Sequence, residues 1–446
     1  MRRTESTSRT TAARGLGLAL ASALLASCVP QNCVQPDAGP VAAATAAPAV
    51  PAAAAPAPAV APATAPVAAP VLVPPPPPPA PPPILAFDDA VAHAARGVFS
   101  AAPAPDSAGA LVVIDPLVDG VTGYQSKATQ SIQDRILGIV KKDFPQYAVQ
   151  RITPDSLKQQ PRVLIGTFTP VNAQMKTTGA REAYRFCLVM GDLRTGKIVA
   201  KSVARARLED VDATPRPVFD ESPVWTDDPS VQAYIASCQA SKPGDPIRAE
   251  YLDGLLAAAL VGEAADAYDE GHYAEALELF RTARKTPAGD QLRVYNGIYL
   301  SLARLGRQDQ AAAAFSDLVE YGIRRKRLAV KFLFRPGSVR FATASHLAAS
   351  YPMWLQQIAA EAVATKACLQ VTGHTSATGP APLNESLSLM RAEYIQSRLE
   401  DDEPTLKKRT LAVGVGSREN LIGTGRDDLS DSLDRRVELK PIEPCT

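Results

Sequence analysis

The distribution of proline constrains this 446-residue chain more than any other feature. Of its 40 prolines, 19 lie between Pro30 and Pro83, in a stretch made otherwise mostly of Ala, Val and Thr. Such a segment has no aromatic residue and consists mostly of small side chains, so it cannot form a core, and runs such as Pro74–Pro79 favour the extended polyproline II conformation. At roughly 3.1 Å per residue, about 48 such residues reach on the order of 150 Å. We therefore predict a disordered linker over residues 28–105, with the folded domains after it.

The N-terminus has the pattern of a targeting segment. Several arginines precede a short apolar run, Leu16–Leu25, which is too short to span a bilayer as a stable helix. The run ends in Leu25-Ala26-Ser27-Cys28, which resembles the bacterial lipobox. That resemblance implies a signal peptide over residues 1–27 and a lipid on Cys28, and Val29 after the cysteine favours sorting to the outer membrane. An ordinary secretory signal with an incidental cysteine is the alternative.

Charge and cysteine spacing exclude several classes of function. The chain has 47 basic and 46 acidic residues, a net charge of +1, so nothing suggests nucleic acid or a polybasic membrane surface as a partner. No CxxC spacing occurs, so neither a metal site nor a redox motif is expected. We also expect no cofactor and no enzyme activity, because no nucleophile and base are paired in the sequence.

Four cysteines fall in the predicted globular part of the chain, Cys187, Cys238, Cys368 and Cys445. Disulfides persist in an oxidising compartment, and four cysteines allow three pairings. We favour Cys187–Cys238 with Cys368–Cys445, because each pair lies inside one predicted domain.

Residues 106–245 have the pattern of an α/β domain. The apolar run Ala110–Ile114 is typical of a buried strand, and a helix over 129–142 carries one apolar stripe. The segment from Asp192 to Val199 resembles the hairpin of CsgG/LpoB-like periplasmic lipoprotein domains. Further strands are predicted at 147–152, 162–167, 184–190 and 197–205.

Residues 246–326 are predicted to be helical and repetitive. A Gly-x₄-Ala-x₃-Phe pattern recurs after 35 residues, at Gly271, Ala276 and Phe280 and then at Gly306, Ala311 and Phe315. The period resembles that of tetratricopeptide-type helical hairpins. Two repeats are fewer than the three usually needed for independent stability, so we expect them to pack on a neighbouring domain. A protein-docking surface and a structural connector are equally compatible with so short an array.

Residues 327–446 predict the element order β-α-β-α-β-β. On the second helix, Leu383, Leu387, Met390 and Tyr394 are spaced by 4, 3 and 4 and are expected to face the sheet. Asn384 is the expected N-cap of that helix. The predicted strands are 331–341, 368–371, 411–415 and 437–441, with the first helix over 344–365.

Motifs in this last region resemble the OmpA-like peptidoglycan-binding domain. They are Val371-Thr372-Gly373-His374-Thr375-Ser376, then Asn384, Leu387-Ser388 and Met390-Arg391-Ala392, and finally Asp434-Arg435-Arg436-Val437-Glu438-Leu439. The expected fold class is therefore multidomain: an N-terminal α/β domain, a short helical tetratricopeptide-like region and a C-terminal OmpA-like domain.

The resemblance implies a ligand and a binding site. Diaminopimelate in a wall peptide offers a carboxylate, which suits Arg391, and an amine, which in the family is met by an Asp where this chain has Ser376. The implied peptidoglycan-binding residues are Thr375, Ser376, Asn384, Arg391 and Arg435. Surface ion pairs are the alternative for the arginines: Arg391 with Glu385 or Glu393, and Arg435 with Asp431 or Asp434. His374 is expected to be a structural loop residue.

Two functions follow as hypotheses. The first is a lipid-anchored outer-membrane protein that binds peptidoglycan and tethers the membrane to the wall from the periplasmic side. The alternative is a periplasmic scaffold, with weak or no wall binding, that docks a cell-wall synthase or a secretion complex through its middle domains. The uncharged Ser376 is the residue that keeps the alternative open.

Overall fold

The fold is that of a computed structural model, which describes residues 80–105, 109–335, 337–342, 347–426, 428–443 and 445. The predicted signal peptide, Cys28 and the linker up to residue 79 lie outside the described residues. The described part contains two mixed sheets and 11 α-helices. The strands are β1 Ile84–Leu85, β2 Ala110–Ile114, β3 Tyr147–Arg151, β4 Arg162–Val171, β5 Ala183–Asp192, β6 Lys197–Arg207, β7 Val224–Trp225, β8 Leu328–Val330, β9 Cys368–Gly373, β10 Thr410–Gly414 and β11 Val437–Ile442. The helices are α1 Phe87–Ala101, α2 Lys127–Asp143, α3 Pro154–Leu157, α4 Pro217–Asp220, α5 Pro229–Gln239, α6 Ala249–Asp269, α7 Tyr273–Arg284, α8 Leu292–Arg304, α9 Gln308–Arg324, α10 Tyr351–Ala364 and α11 Ala381–Asp402.

The first sheet has the strand order β1-β6-β5-β4-β2-β3. Strands β2, β3 and β4 are parallel neighbours, while β4, β5 and β6 form an antiparallel meander. Every residue of β4 is buried, because helices cover both faces of the sheet. Helices α1 and α2 pack on one face and α5 and α6 on the other. The α/β prediction for this region therefore agrees with the structure in element order.

The linker prediction extended too far towards the C-terminus. Residues 84–101 form β1 and α1, and β1 pairs in parallel with the end of β6. Phe87, Val91, Val98 and Phe99 on α1 are at most 7% exposed and pack against the first sheet. Ala90, Ala94 and Ala95 are also buried. This amphipathic helix left no sign in the sequence because its alanines continue the alanine-rich composition of the linker.

The helical region consists of two hairpins, α6 with α7 and α8 with α9. Gly271 and Gly306 lie at the two turns with φ of 84° and 71°, a conformation that glycine adopts without strain. The array packs on the C-terminal region, as its short length predicted. Phe315 of α9 stacks on Trp354 of α10 with ring centroids 5.5 Å apart.

The second sheet has the strand order β10-β9-β11-β8-β7. From β8 onwards the helices and strands follow the predicted β-α-β-α-β-β order. The fifth strand, β7, comes from residues 224–225 and pairs antiparallel with β8 through Val224↔Val330 and Trp225↔Ala329. The predicted α/β domain, residues 106–245, thus contributes an edge strand to the C-terminal sheet.

The first strand of the second sheet is shorter and earlier than predicted. It covers Leu328–Val330, whereas the prediction began at Lys331 and ran to Phe341. The chain instead turns back on itself beyond the strand, and Phe334 bridges to Phe341. The pattern of phenylalanines reflects this turn and its aromatic cluster with Tyr351 and Tyr394.

One continuous core joins the helical hairpins to the second sheet. It also includes Tyr124 and Trp225 from the α/β region, residues 109–245, which is called the first region below. The structure joins Cys187 to Cys238, with Cα atoms 6.1 Å apart, and Cys368 to Cys445, with Cα atoms 5.4 Å apart. Among the described residues, none of the helices combines the length and apolarity that crossing a bilayer requires.

Candidate functional site

The site predicted by the C-terminal motifs forms where α11 crosses the ends of β9 and β10. Gly373 makes this crossing possible, because a Cβ atom there would lie 2.0 Å from the backbone oxygen of Ser388. Gly416, at φ +56°, is less crowded, since a Cβ atom there would lie 3.2 Å from the Glu385 backbone nitrogen. The Oγ of Ser388 also accepts a hydrogen bond from the Gly416 N–H at 2.9 Å. The glycine of the Gly-His-Thr motif is therefore a packing requirement.

Two of the predicted site residues, Ser376 and Asn384, contact Thr378, and Thr375 directly precedes Ser376. Thr375 and Ser376 follow β9 and are only 3% and 6% exposed. The Oγ of Ser376 lies 3.1 Å from the Oγ1 of Thr378, and the Nδ2 of Asn384 donates to the Thr378 carbonyl at 2.9 Å. The buried Oγ1 of Thr375 has no hydrogen-bond partner among the described residues. The result is a polar corner at the start of α11.

The predicted capping role of Asn384 is wrong. Helix α11 begins at Ala381 with Pro380 as its N-cap and a proline in its first two positions. Proline there has its φ preset for a helix and lacks an N–H that the helix would leave unpaired. Asn384 is instead buried within the first turns, where its side chain holds the Thr378 carbonyl.

Arg391 lies two helical turns beyond Asn384 on the same buried face and is 5% exposed. Its Nε donates to the Ser338 carbonyl at 3.2 Å and its Nη2 to the Arg335 carbonyl at 3.4 Å. The guanidinium carbon lies 4.9 Å from the centre of the Phe334 ring. The turn after β8 therefore supports Arg391 from one side. Glu385, one of the alternative partners considered for it, pairs with Arg418.

The buried face of α11 differs from the predicted one. Leu383 and Met390 are 61% and 42% exposed, while Asn384, Ser388 and Arg391 face inwards. The apolar spacing of 4, 3 and 4 misidentified the face, because the close crossing over β9 accepts a small residue such as Ser388 better than a leucine. The helix turns its polar site residues towards the sheet and leaves three large apolar side chains, Leu383, Leu389 and Met390, at the surface.

Arg435 lies in a separate loop, and its Nη2 donates to the Asp428 carbonyl at 3.0 Å. That loop is organised by two buried carboxylates. Asp434 accepts the backbone N–H groups of Leu421, Ile422 and Gly423, at 2.7, 3.0 and 2.7 Å. Asp431 accepts those of Thr424 and Arg426.

The same loop docks on the first region. Arg426 donates to the Val211 carbonyl at 2.9 Å and to the Leu208 carbonyl, while Arg181 donates to the Ile422 carbonyl at 3.1 Å. The sequence interpretation missed both contacts. Two aspartates three residues apart beside a glycine-rich segment are the signal that could have revealed the loop, but nothing in the sequence indicates where it docks.

The second arginine of the motif, Arg436, is a core residue. It is 1% exposed and donates to the Glu438 carboxylate from Nε at 2.8 Å and Nη2 at 2.6 Å. Arg327 donates to the same carboxylate oxygen at 2.6 Å, and His374 Nε2 lies 3.8 Å from it. Burial and the neighbouring Arg436 hold the pKa of His374 far below its usual value, so the imidazole is neutral. His374 thus belongs to a buried charge cluster, in agreement with its predicted structural role.

The arrangement can recognise a small polar group. It places two hydroxyls and an amide at the start of α11, and a guanidinium two turns further along the same buried helix face. Guanidinium groups bind carboxylates with two parallel hydrogen bonds, and hydroxyl and amide oxygens accept from ammonium groups.

No family model and no curated protein sequence matches the chain. Solved structures similar to part of it include the peptidoglycan-associated lipoprotein from Burkholderia pseudomallei, 24% identical, covering 25% of this chain and 87% of that one, with a TM-score of 0.21. The cell wall anchor of the type VI secretion system (T6SS) from Pseudomonas aeruginosa is 23% identical, covering 26% and 80%, with a TM-score of 0.22. The OmpA-like domain of FopA1 from Francisella tularensis is 16% identical, covering 26% and 75%, with a TM-score of 0.21. Each likeness covers about a quarter of the chain.

Proposed function

We propose that this chain is a lipid-anchored outer-membrane protein that binds peptidoglycan non-covalently and tethers the membrane to the wall. The observation that carries the proposal is the position of Arg391. It is a buried guanidinium on the face of α11 that also carries Asn384, at the end of β9 where Thr375 and Ser376 lie. The lipobox-like sequence ending at Cys28 and the proline-rich segment after it supply an anchor and a spacer.

In this function Arg391 binds a carboxylate of diaminopimelate in the wall peptide. The two carbonyl oxygens that now accept its N–H groups are neutral, so a carboxylate is a stronger acceptor for the same donors. The polar corner of Thr375, Ser376 and Asn384 receives the amine. Because Ser376 has no charge, we expect binding weaker by about 1–2 kcal/mol, roughly ten-fold, than with a carboxylate at that position.

Retention of the full chain by purified sacculi tests the proposal. We expect Arg391→Ala to lose most of the retention, and Arg391→Lys to lose nearly as much because an ammonium cannot form the bidentate contact. Arg398→Ala is the matched control, since Arg398 lies two turns further along the same helix. Thermal unfolding of each variant separates loss of binding from loss of folding. Equal retention of Arg391→Ala and wild type would remove this site, and no retention of wild type would remove the function.

The scaffold alternative is favoured by one observation, the uncharged Ser376. The substitution Ser376→Asp distinguishes the two functions. If the substitution strengthens retention that wild type already shows, the tether function holds. If wild type shows none and the variant binds, the chain is a scaffold whose domain has lost wall affinity.

The anchor and the absence of catalysis are separate parts of the proposal. Cys28→Ala should release the chain from membrane fractions and abolish labelling by a radioactive fatty acid. Incubation of the protein with purified muropeptides should leave them intact, and hydrolysis would show that the chain is an enzyme.

A further inference from the structure

The first helices of the two hairpins, α6 and α8, are covered by a segment of the chain itself, residues 215–228. Arg216 pairs with Asp266 of α6 at 2.6 Å, and Asn296 of α8 donates to the Val224 carbonyl at 2.9 Å. This segment fills the place that a partner would need on α6 and α8. The second helices, α7 and α9, carry the surface that the hairpins offer to another protein.

An arginine cluster lies where α7 and α9 end, and it consists of Arg284, Arg324 and Arg325. All three guanidiniums lie beside one carboxylate, Asp290 in the loop between α7 and α8, with nitrogen–oxygen distances of 3.7, 3.2 and 3.7 Å. The three arginine side chains are 42%, 49% and 31% exposed. One carboxylate is thus shared by three guanidiniums at the surface.

Two tyrosine rings hold the arginine cluster in place. The rings of Tyr295 and Tyr321 pack with centroids 4.9 Å apart. The Arg284 guanidinium carbon lies 4.7 Å from the centre of the Tyr295 ring. Those of Arg324 and Arg325 lie 5.3 and 5.1 Å from the centre of the Tyr321 ring. Because the side chains are already held, less conformational entropy is lost when they bind a partner.

Positive charge exceeds negative charge around the arginine cluster. Lys285 and Lys326 directly follow its members along the chain and are exposed, which makes five cations. Three carboxylates lie on the same elements, Asp290 and, on the exposed side of α9, Asp317 and Glu320. This local surplus of two is larger than the net charge of +1 of the whole chain. An anionic partner is therefore attracted to this end of the hairpins.

The composition of this surface favours the carboxylates of a protein over a lipid surface. Asp290 shows that the cluster accommodates a carboxylate, and guanidiniums bind such groups with paired hydrogen bonds. Protein surfaces that bind lipid combine cations with exposed apolar side chains. Among the residues that the structure describes, none of the exposed large apolar side chains belongs to α7 or α9.

We propose that the arginine cluster is a docking site for an acidic segment of a partner protein. Aspartate or glutamate side chains of that segment bind the exposed part of the three guanidiniums. Asp290 competes with them as a carboxylate supplied by the chain itself. The two lysines beside the cluster add attraction without a fixed geometry. The site lies on the helical hairpins and does not depend on the wall-binding function.

Fluorescence anisotropy with fluorescein-labelled hexaglutamate tests the site on the full chain. We expect saturable binding that weakens as the salt concentration rises, and no binding of labelled hexaglutamine at the same concentrations. Arg324→Gln and Arg325→Gln should each weaken hexaglutamate binding roughly three-fold. Arg96→Gln is the matched control, because the Arg96 side chain is 56% exposed but has a carboxylate of its own, Asp143 at 2.8 Å.

Asp290→Asn separates a docking site from a cluster that only fixes the loop after α7. Removing the competing carboxylate should strengthen hexaglutamate binding by a similar factor, and an unchanged or weaker affinity would contradict the proposal. Exchanging Lys285 and Lys326 together for glutamine touches neither tyrosine ring, so it should weaken binding without lowering the Tm. Arg324→Gln should leave retention by sacculi unchanged, which keeps this site apart from wall binding.

Two other results would overturn the proposal. Cosedimentation with phosphatidylglycerol vesicles but not with phosphatidylcholine vesicles, in a protein that does not bind hexaglutamate, would assign the cluster to an anionic lipid surface. Binding to neither hexaglutamate nor vesicles would show an ordinary surface ion-pair cluster.

Discussion

Replacing Glu438 by Gln should destabilise the protein by about 3 kcal/mol. The Glu438 side chain is fully buried and accepts three charge-assisted hydrogen bonds, two from Arg436 and one from Arg327. Glutamine keeps the shape and one acceptor but removes the negative charge, so the buried Arg436 guanidinium loses its counter-ion. Removing one partner of a buried ion pair costs about 3–5 kcal/mol, and because glutamine still accepts hydrogen bonds we expect a loss at the lower end of that range.

The effect of this substitution should depend on pH. Burial alone would raise the pKa of Glu438, but Arg436 and Arg327 hold it below its usual value of 4.5. A depressed pKa means that the stabilisation is complete above pH 4.5 and is lost as the pH falls towards the pKa of the folded state. The difference between wild type and Glu438→Gln should therefore shrink on acidification below pH 4.5.

Urea unfolding of the full chain at several pH values measures both quantities. Glu419→Gln is the matched control, because the Glu419 side chain is 51% exposed and lies 3.7 Å from Lys440. We expect that control to change the unfolding free energy by less than about 0.5 kcal/mol. A loss below about 1 kcal/mol for Glu438→Gln, or a loss that does not change with pH, would refute the assignment of this motif residue to the core.

Two further substitutions test buried features of the fold. Burial raises the pKa of Asp115 to about 6, while Arg293 and the Tyr251 hydroxyl oppose the rise. The stability of the wild type should thus fall as the pH rises from about 4 to 6. In urea unfolding at pH 7, Asp115→Asn should be about 3 kcal/mol more stable than the wild type, because a difference of about two in pKa corresponds to about 1.4 kcal/mol twice. Below about pH 4 the two proteins should be equally stable. Gly373→Ala should lower stability by about 1–3 kcal/mol and weaken sacculus retention, because its Cβ collides with the Ser388 backbone. Gly138→Ala, on the open side of α2, should instead stabilise by about 0.5–1 kcal/mol, and a similar result for Gly373→Ala would disprove the close crossing.

Strong periodicity predicted the elements of the first region well. The apolar run at Ala110–Ile114 is β2, and the stripe on the following helix is buried in α2. Helix α1 escaped prediction because its alanines continue the composition of the linker. Strand β7 has only two residues, and its pairing with a strand more than a hundred positions away leaves no local signal.

The motifs predict Arg391, Ser376 and Asn384 as site residues, and that assignment stays a prediction. The structure buries all three, whereas the apolar spacing predicted that Leu383 and Met390 face the sheet. The rule that apolar residues are buried fails here, because the crossing over Gly373 favours small and polar side chains. In the last motif the structure buries Arg436 with Glu438, a division of roles between adjacent arginines that their order in the sequence does not reveal.

The pairing of β7 with β8 has a consequence for how the chain folds and how it can be cut. When β7 pairs with β8, the chain between them closes a loop of about 100 residues. The loss of conformational entropy on closing that loop opposes completion of the second sheet. We therefore expect the second sheet to be completed after the helical hairpins between these strands have formed. A fragment that begins after β7 would expose the β8 edge to other chains and remove the acceptors at residues 219 and 220 that hold the buried Lys331 ammonium. Expression boundaries for the C-terminal region are consequently better placed before residue 217 than at the start of the predicted domain.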